Sequence, residues 1–421
     1  MNILSHHRFA SPAVVLASLV LITAACASPA AAPAKPTAAP PTAAAAAPAK
    51  PADAAKDAPK TEAAKPAPPA AKDAPAKPVT AVDTAKIAEH FGGKTIDLYI
   101  GYAPGGGYDI RGRIFAEFFQ RHLPGNPKVA IQNMAGGGGL QATRHVMRAK
   151  PDGLSMVTIP SGVFLLDLLG EKQEGFDRKQ PLMLGNYEVA ADAYTPLWVR
   201  TELGTSWAEV VKRGQPLKYG APAVGNSQAL AGEWLSIVGA PVKMVYGYGG
   251  SNELLAAMDR KEVDLMAVDD LAETTEASLP RSTKAFPEWF TTTPKYITPL
   301  LATRTAIPQA WATPFGWTSP PQILDVVDST PLQKDAYKLA YAVREAVDPL
   351  SLPQGVPDDI YRAMQQAMIE TCKDPEFVKA MKDRGFDGGY RAPEEIGETL
   401  NRLAASPPEV VEILRKMYIG Q

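Results

Sequence analysis

Tyr102-Ala103-Pro104-Gly105-Gly106-Gly107-Tyr108-Asp109 separates two segments of different period, and the reading of the fold starts from it. Before it, Thr95 to Ala103 is rich in Ile, Leu and Tyr, as a strand is; after it, Ile110, Ile114, Phe115, Phe118 and Phe119 recur at helical spacing behind Asp109. The unit reads as strand, glycine loop and capped helix. Working outward, the same unit recurs. Lys128 to Gln132 leads through Gly136-Gly137-Gly138-Gly139 into a helix from Leu140 to Ala149, which stops before Pro151-Asp152-Gly153, and Met156 to Ile159 resumes a strand. Leu217 to Ala221 leads through Gly225-Asn226-Ser227 to a helix bearing Leu230, Ala231, Trp234, Leu235 and Val238. Lys243 to Tyr246 leads through Gly249-Gly250-Ser251 to Leu254, Leu255 and Met258, and Val263 to Val268 returns as a buried strand. Strands alternating with helices predict an α/β protein with parallel sheets covered on both faces.

Loops without Cβ atoms let main-chain N–H groups approach a ligand closely, and the first turn of the following helix leaves unpaired donors with a partial positive charge. Each junction can hold an anion, and in open α/β sheets such loops gather beyond the carboxyl ends of the strands. One glycine loop alone is ordinary turn chemistry. Four in series point to a binding cleft. Nucleotide motifs are not met: Tyr108-Asp109 and Leu140-Gln141 stand where a P-loop needs Lys-Ser/Thr, and Gly137-Gly138-Gly139-Leu140-Gln141-Ala142 fits the looser dinucleotide pattern G-x-G-x-x-A but the next strand ends in Pro160-Ser161 without a ribose-binding acid. Gly225-Asn226-Ser227-Gln228-Ala229 is close to a nucleophile elbow, but no His follows His145, so Ser227 reads better as a helix cap or a hydroxyl donor. His90, His122 and His145 are scattered, and no metal or cofactor is expected. Asp269-Asp270 reads as a helix cap or as a carboxylate pair for acid/base work, which leaves open an exported enzyme using Ser227, Asp269 or Asp270 on an acyl or phosphoryl group. Tyr108, Tyr246 and Tyr248 are the aromatic residues nearest the loops.

Further outward lie the termini. Residues 1–26 read as a signal peptide: Arg8 precedes an apolar run from Ala13 to Ala25, too short for the ~20 residues of a membrane-spanning helix. Thr23-Ala24-Ala25-Cys26 resembles a lipobox, with Thr23 where Leu or Val is usual, so Cys26 is the expected lipidation site, with ordinary cleavage at a nearby Ala-x-Ala as the alternative. Residues 27–85 are Ala, Pro and Lys with almost no large apolar side chain, and are expected to form a disordered tether. The first 80 residues carry eight Lys/Arg against four Asp/Glu, so the chain's net charge of −2 leaves the remainder about six negative. Such a body is a poor nucleic-acid binder. With two Cys in 421 residues, a disulfide scaffold is excluded. Four helix starts are legible near the C-terminus at Pro357-Asp358-Asp359, Asp374-Pro375-Glu376, Pro393-Glu394-Glu395 and Pro407-Pro408-Glu409.

In order and spacing, these motifs resemble the solute receptors of tripartite tricarboxylate transporters, a periplasmic carboxylate-binding family. The resemblance runs from about Ile96 to Met417. It rests on Tyr102 to Asp109, on Gln132-Asn133-Met134-Ala135-Gly136-Gly137-Gly138-Gly139, on Pro151-Asp152-Gly153, on Tyr219-Gly220 with Gly225-Asn226-Ser227, on Tyr246 to Ser251, and on Glu262-Val263-Asp264-Leu265-Met266. It implies a two-lobed periplasmic-binding-protein-like (flytrap) fold with a mixed, mostly parallel sheet in each lobe. Lobe 1 would comprise residues 95–189 plus 304–421, and lobe 2 residues 190–303. It further implies a non-enzymatic, monomeric receptor, held at the membrane only by its lipid, that passes a small organic carboxylate to inner-membrane permease subunits. A receptor-like sensor is the other reading of the same fold. One ligand carboxylate would be held by Gly106, Gly107, Tyr108 and Asp109 with Ala135, Gly136, Gly137 and Gly138, and the opposing lobe would add Asn226, Ser227, Gly250, Ser251 and Asp269. Gly107-Tyr108 departs from the usual Pro-Thr of the family, which exchanges a hydroxyl for a phenol ring.

Overall fold

The computed structural model describes residues 83–189, 195–268, 286–346, 348–384 and 386–419. The expected signal peptide, Cys26 and nearly all of the expected tether lie outside the described residues, as do Asp269 and Asp270.

Two mixed sheets organise the chain. The first holds β1 (Thr95–Ile100), β2 (Lys128–Asn133), β3 (Ser155–Thr158) and β4 (Leu182–Glu188), with two strands that return from late in the sequence, Leu350–Leu352 and Gly388–Arg391. β1 lies between β2 and β3 and runs parallel to both, in a register that sets Ile100 level with Asn133 and with Thr158. The late strands and β4 pair antiparallel. In the second sheet β6 (Leu217–Gly220) is parallel to β7 (Val242–Val245) and to β8 (Leu265–Ala267), while β5 (Pro196–Arg200) pairs antiparallel with β8 and with β9 (Ile297–Ala302). Parallel pairing is thus concentrated where the glycine loops leave the strands. That register brings the loops after β1, β2 and β3 to one edge of the first sheet, and those after β6 and β7 to one edge of the second.

The helices follow from their local sequence. Asp83 caps α1 (Thr84–Phe91) by accepting from the Ala85 and Lys86 N–H groups, and Ile87 and Phe91 bury one face of it against the first sheet. This helix precedes the expected start of lobe 1 at residue 95. Helix α2 (Gly107–His122) buries Phe115, Phe118 and Phe119, where Phe115 stacks on Tyr187 at 4.4 Å between ring centroids. Each such fully buried ring contributes roughly 1.5–3 kcal/mol. The four C-terminal helix starts appear as helices Asp358–Lys373, Pro375–Lys382, Pro393–Ala404 and Pro408–Tyr418.

Two features cross the expected boundaries. Ile307, Trp311 and Phe315 pack with Trp198 and Phe290 of the second sheet's core, so residues 307–317 side with the second sheet although they follow residue 303. The chain leaves β9 on that sheet's edge and covers the nearest apolar face. The helix Pro331–Ala346 bridges the sheets: Trp234 Nε1, on α6 (Leu230–Ile237), donates to the Gln333 carbonyl at 2.8 Å, while the same helix packs on α4 (Ser161–Leu168).

Candidate functional site

The two parallel edges face one another, and main-chain and side-chain contacts hold them together. The Ala103 N–H donates to the Gly249 carbonyl at 3.0 Å. Asn226 Nδ2 donates to the Tyr102 hydroxyl at 2.7 Å, and that hydroxyl donates to the Gly138 carbonyl at 3.1 Å. Gly162, in the first turn of α4, lies so close to Gly225 that a Cβ there would collide with the Gly225 carbonyl oxygen. Only glycine fits at that crossing.

Between these contacts is a cavity of about 70 Å³, lined from one side by Tyr102, Gly106, Gly107, Tyr108 and Arg111 and from the other by Asn226, Ser227, Gln228, Gly250 and Ser251, with Glu188 and Phe386 closing it. Two helices start at this cavity. α2 begins after Gly106 and α7 (Ser251–Asp259) after Gly250, and neither has a side-chain cap. An N-terminus of this kind leaves N–H donors and a partial positive charge available to an anion.

Both starts use the same device. The third residue of the helix is an acid that reaches back to the N–H just before the cap: Asp109 Oδ2 accepts from Gly105 N at 2.8 Å, and Glu253 Oε2 accepts from Gly249 N at 2.7 Å. Asp109 also accepts from Arg113 Nε and Nη2, each at 2.9 Å, and from Asn133 Nδ2 at 2.9 Å. Burial alone would raise the Asp109 carboxyl, but the Arg113, Gly105 and Asn133 hydrogen bonds hold it below the usual carboxylate range. It is a pinned, ionised strut for the loop.

A buried charge cluster forms part of the cavity wall, with Asp348 behind it. Arg111 pairs with Glu188 and, through Nη2 at 3.3 Å, with Asp348; its guanidinium carbon lies 3.9 Å from the centre of the Tyr108 ring. Asp348 further accepts from the Tyr108 hydroxyl at 2.8 Å and the Ser161 N–H at 2.7 Å. Burial raises the Asp348 carboxyl, partly offset by Arg111 and by its hydrogen bonds. Burial, with the Asp348 charge adding to it, lifts the Tyr108 phenol well above its ordinary range, so the hydroxyl stays protonated and acts as a donor. On the opposite wall Glu233, fully buried on α6, accepts from the Gly225 N–H at 3.0 Å and the Tyr246 hydroxyl at 3.1 Å. Burial pushes its carboxyl up to about 8 despite those two donors.

No protein-family model and no curated protein matches the sequence. Solved structures do match in fold. The periplasmic binding protein BugD aligns over 78% of this chain and 98% of its own, with a TM-score of 0.56 and 19% identity. R. palustris Rpa4515 with adipate aligns over 76% of this chain and 97% of its own, TM-score 0.56, 19% identity. MatC from Rhodopseudomonas palustris with bound malate aligns over 76% and 100%, TM-score 0.53, 16% identity. The fold is that of a periplasmic binding protein.

Within this periplasmic-binding-protein fold the residues expected at the site divide into groups. Gly106, Gly107, Tyr108, Asn226, Ser227, Gly250 and Ser251 come together around the cavity. Asp109 does not line it and instead holds the loop. Of the second glycine loop, Gly136 and Gly137 line a separate open pocket with Gln141, Arg144, His145 and Arg148. Ala135 lines neither, and Gly138 reaches the seam between the lobes only through its carbonyl and a close approach to Ala223. Tyr102, Arg111, Glu188, Gln228 and Phe386 line the cavity without having been expected there, and Asp348 supports it from behind. Tyr102 could have been found from its place at the head of the Pro-Gly-Gly loop; the others carried no local signal. Among the described residues no cluster of His, Cys, Asp and Glu is arranged to hold a metal ion. His90, His122 and His145 bond to Asp152, Asp374 and Tyr99 respectively, none of them a cavity residue.

Proposed function

We propose that the chain is an extracytoplasmic solute receptor of the tripartite tricarboxylate type. It captures a small organic carboxylate between its lobes and delivers it to an inner-membrane permease. In this reading Cys26 anchors the protein to a membrane by lipid, the tether spans from there to the body, and the protein performs no chemistry on its ligand. The observation that carries it is the pair of uncapped helix starts, at Gly106 and at Gly250, that open on one cavity from opposite sides. Fold relatives described with adipate and with malate support carboxylate as the ligand class.

The reading also accounts for the cavity's modest charge. Oriented N–H groups and the Asn226 and Ser227 side chains stabilise a carboxylate without a free cation, as neutral donors do in many anion sites. The test is thermal stabilisation of the purified protein by a broad panel of carboxylates. A ligand present at 100 times its dissociation constant adds about 2.7 kcal/mol to the folded state. A panel that leaves the melting temperature unmoved throughout refutes the proposal.

A further inference from the structure

The receptor reading leaves one lining residue unexplained, a carboxylate inside a site for carboxylates. Glu188, at the end of β4, lines the cavity and is paired with Arg111, while Asp348 holds the same guanidinium from behind the wall. All three side chains are largely buried, with 10% of Arg111, 13% of Glu188 and 14% of Asp348 exposed. Among the described residues Arg111 is the one Lys, Arg or His lining the cavity, and it already faces two acids. It therefore has no charge to spare for a ligand anion. A ligand carboxylate that displaced Glu188 would leave a buried acid without its partner, which costs several kcal/mol. A carboxylate lying beside Glu188 would meet like charge at low dielectric.

The donors for a ligand anion lie at the helix starts, at Gly106–Tyr108 and Gly250–Ser251. The cavity thus presents hydrogen-bond donors at those starts and a carboxylate at Glu188. Resting on the receptor reading, we propose that the ligand is a small zwitterion, a short amino acid whose carboxylate sits at the helix starts and whose ammonium group meets Glu188. A cavity of about 70 Å³ suits a molecule of a few heavy atoms. Tyr102 and Tyr108, whose rings meet at a tilt with 4.5 Å between centroids, supply an apolar wall beside it.

Calorimetric titration of the purified protein with matched pairs tests this: glycine against acetate, alanine against propionate, aspartate against succinate. The expected result is binding at least about tenfold tighter for the amino acid of one pair, with the preference lost in Glu188→Gln. Circular dichroism and the melting temperature report whether that variant is folded; if it is not, Glu188→Asp, which keeps the charge, is expected to retain the preference. Equal or tighter binding of the amine-free acids overturns the zwitterion proposal and leaves the receptor reading standing, as does a preference that survives in Glu188→Gln. Failure of every compound in both series counts against the receptor reading itself, and this inference falls with it.

Discussion

The first lobe contains two glycine loops that look alike in sequence and serve different ends. The loop at Gly105–Gly107 opens a helix on the cavity, and its conformation is fixed from behind by Asp109. In the loop at Gly136–Gly139 all four residues have positive φ, and the run lets the chain turn tightly under the first loop: a Cβ on Gly101 would collide with the Gly139 Cα. The first run of glycines exposes main chain to the cavity; the second packs main chain against main chain. The helices that follow repeat the contrast. Arg111 on α2 is buried between two acids, whereas Arg148, just past α3 (Leu140–Met147), is exposed at an outward pocket. A run of Gly is therefore evidence of close approach, and what approaches has to be read from the far side.

The comparison can be broken most forcefully at the arginines. Arg111→Ala leaves Glu188 and Asp348 buried without their counter-charge and is expected to cost about 3–5 kcal/mol, while Arg148→Ala stays within about 0.5 kcal/mol; urea unfolding of both variants measures the gap. Next is the packing contact. Gly101→Ala should destabilise by about 1–3 kcal/mol, since a methyl group there meets backbone that cannot swing away. An unchanged melting temperature would mean that the second loop is not a packing device.

A paired experiment then separates the two roles. Gly106→Val should weaken carboxylate binding by about tenfold, ~1.4 kcal/mol, with little loss of stability, because a Cβ at that position meets nothing closer than the Ala103 carbonyl at 3.8 Å. Gly137→Ala should do the reverse: with φ at +55° it is expected to lose about 1 kcal/mol of stability and keep its affinity. If both variants lose affinity alike, the two loops share one function after all.

The last test extends the contrast to the loop at Gly225, which rests on Glu233. The folded-state pKa of that carboxyl is raised, so its neutral form stabilises the fold fully below the ordinary Glu range, and the contribution is lost as pH rises through about 8. Stability should fall by at most about 1.4 kcal/mol per pH unit across that window. Glu233→Gln, which keeps an oxygen for Gly225 and Tyr246, should flatten the slope; a wild-type slope in the variant would dissociate Glu233 from the effect.

The parts of this molecule legible in the sequence are those written in neighbouring residues. Pro104 to Gly107 followed by Asp109, or Pro357 before Asp358, announces a turn and a helix start because Pro, Gly and Asp act on the backbone within a few positions. The parallel halves of both sheets and the C-terminal helices were visible for that reason. Helix α1 has its own signals, Asp83 and the Ile87–Phe91 spacing, but they sit against the Ala/Pro tract and straddle the expected end of the tether at residue 85, short of the expected start of lobe 1. The charge cluster was not legible at all. Arg111 reads locally as one polar residue on an amphipathic helix, and its partners Glu188 and Asp348 lie 77 and 237 positions away. The antiparallel strands Leu350–Leu352 and Gly388–Arg391 are three and four residues long, too short for their period to show, and they exist because the first sheet offers them an edge.

Gly162 against Gly225 carries a mechanical consequence. Where the lobes touch there, main chain meets main chain, so the contact is a hard stop with no side chain to compress or swing aside. Should the jaws part to admit a solute, their return ends at a position set by covalent geometry and not by the strength of the grip. In the proposed receptor, a guest too bulky for the cavity would not be accommodated by squeezing; it would hold the jaws ajar and give the molecule a different outline.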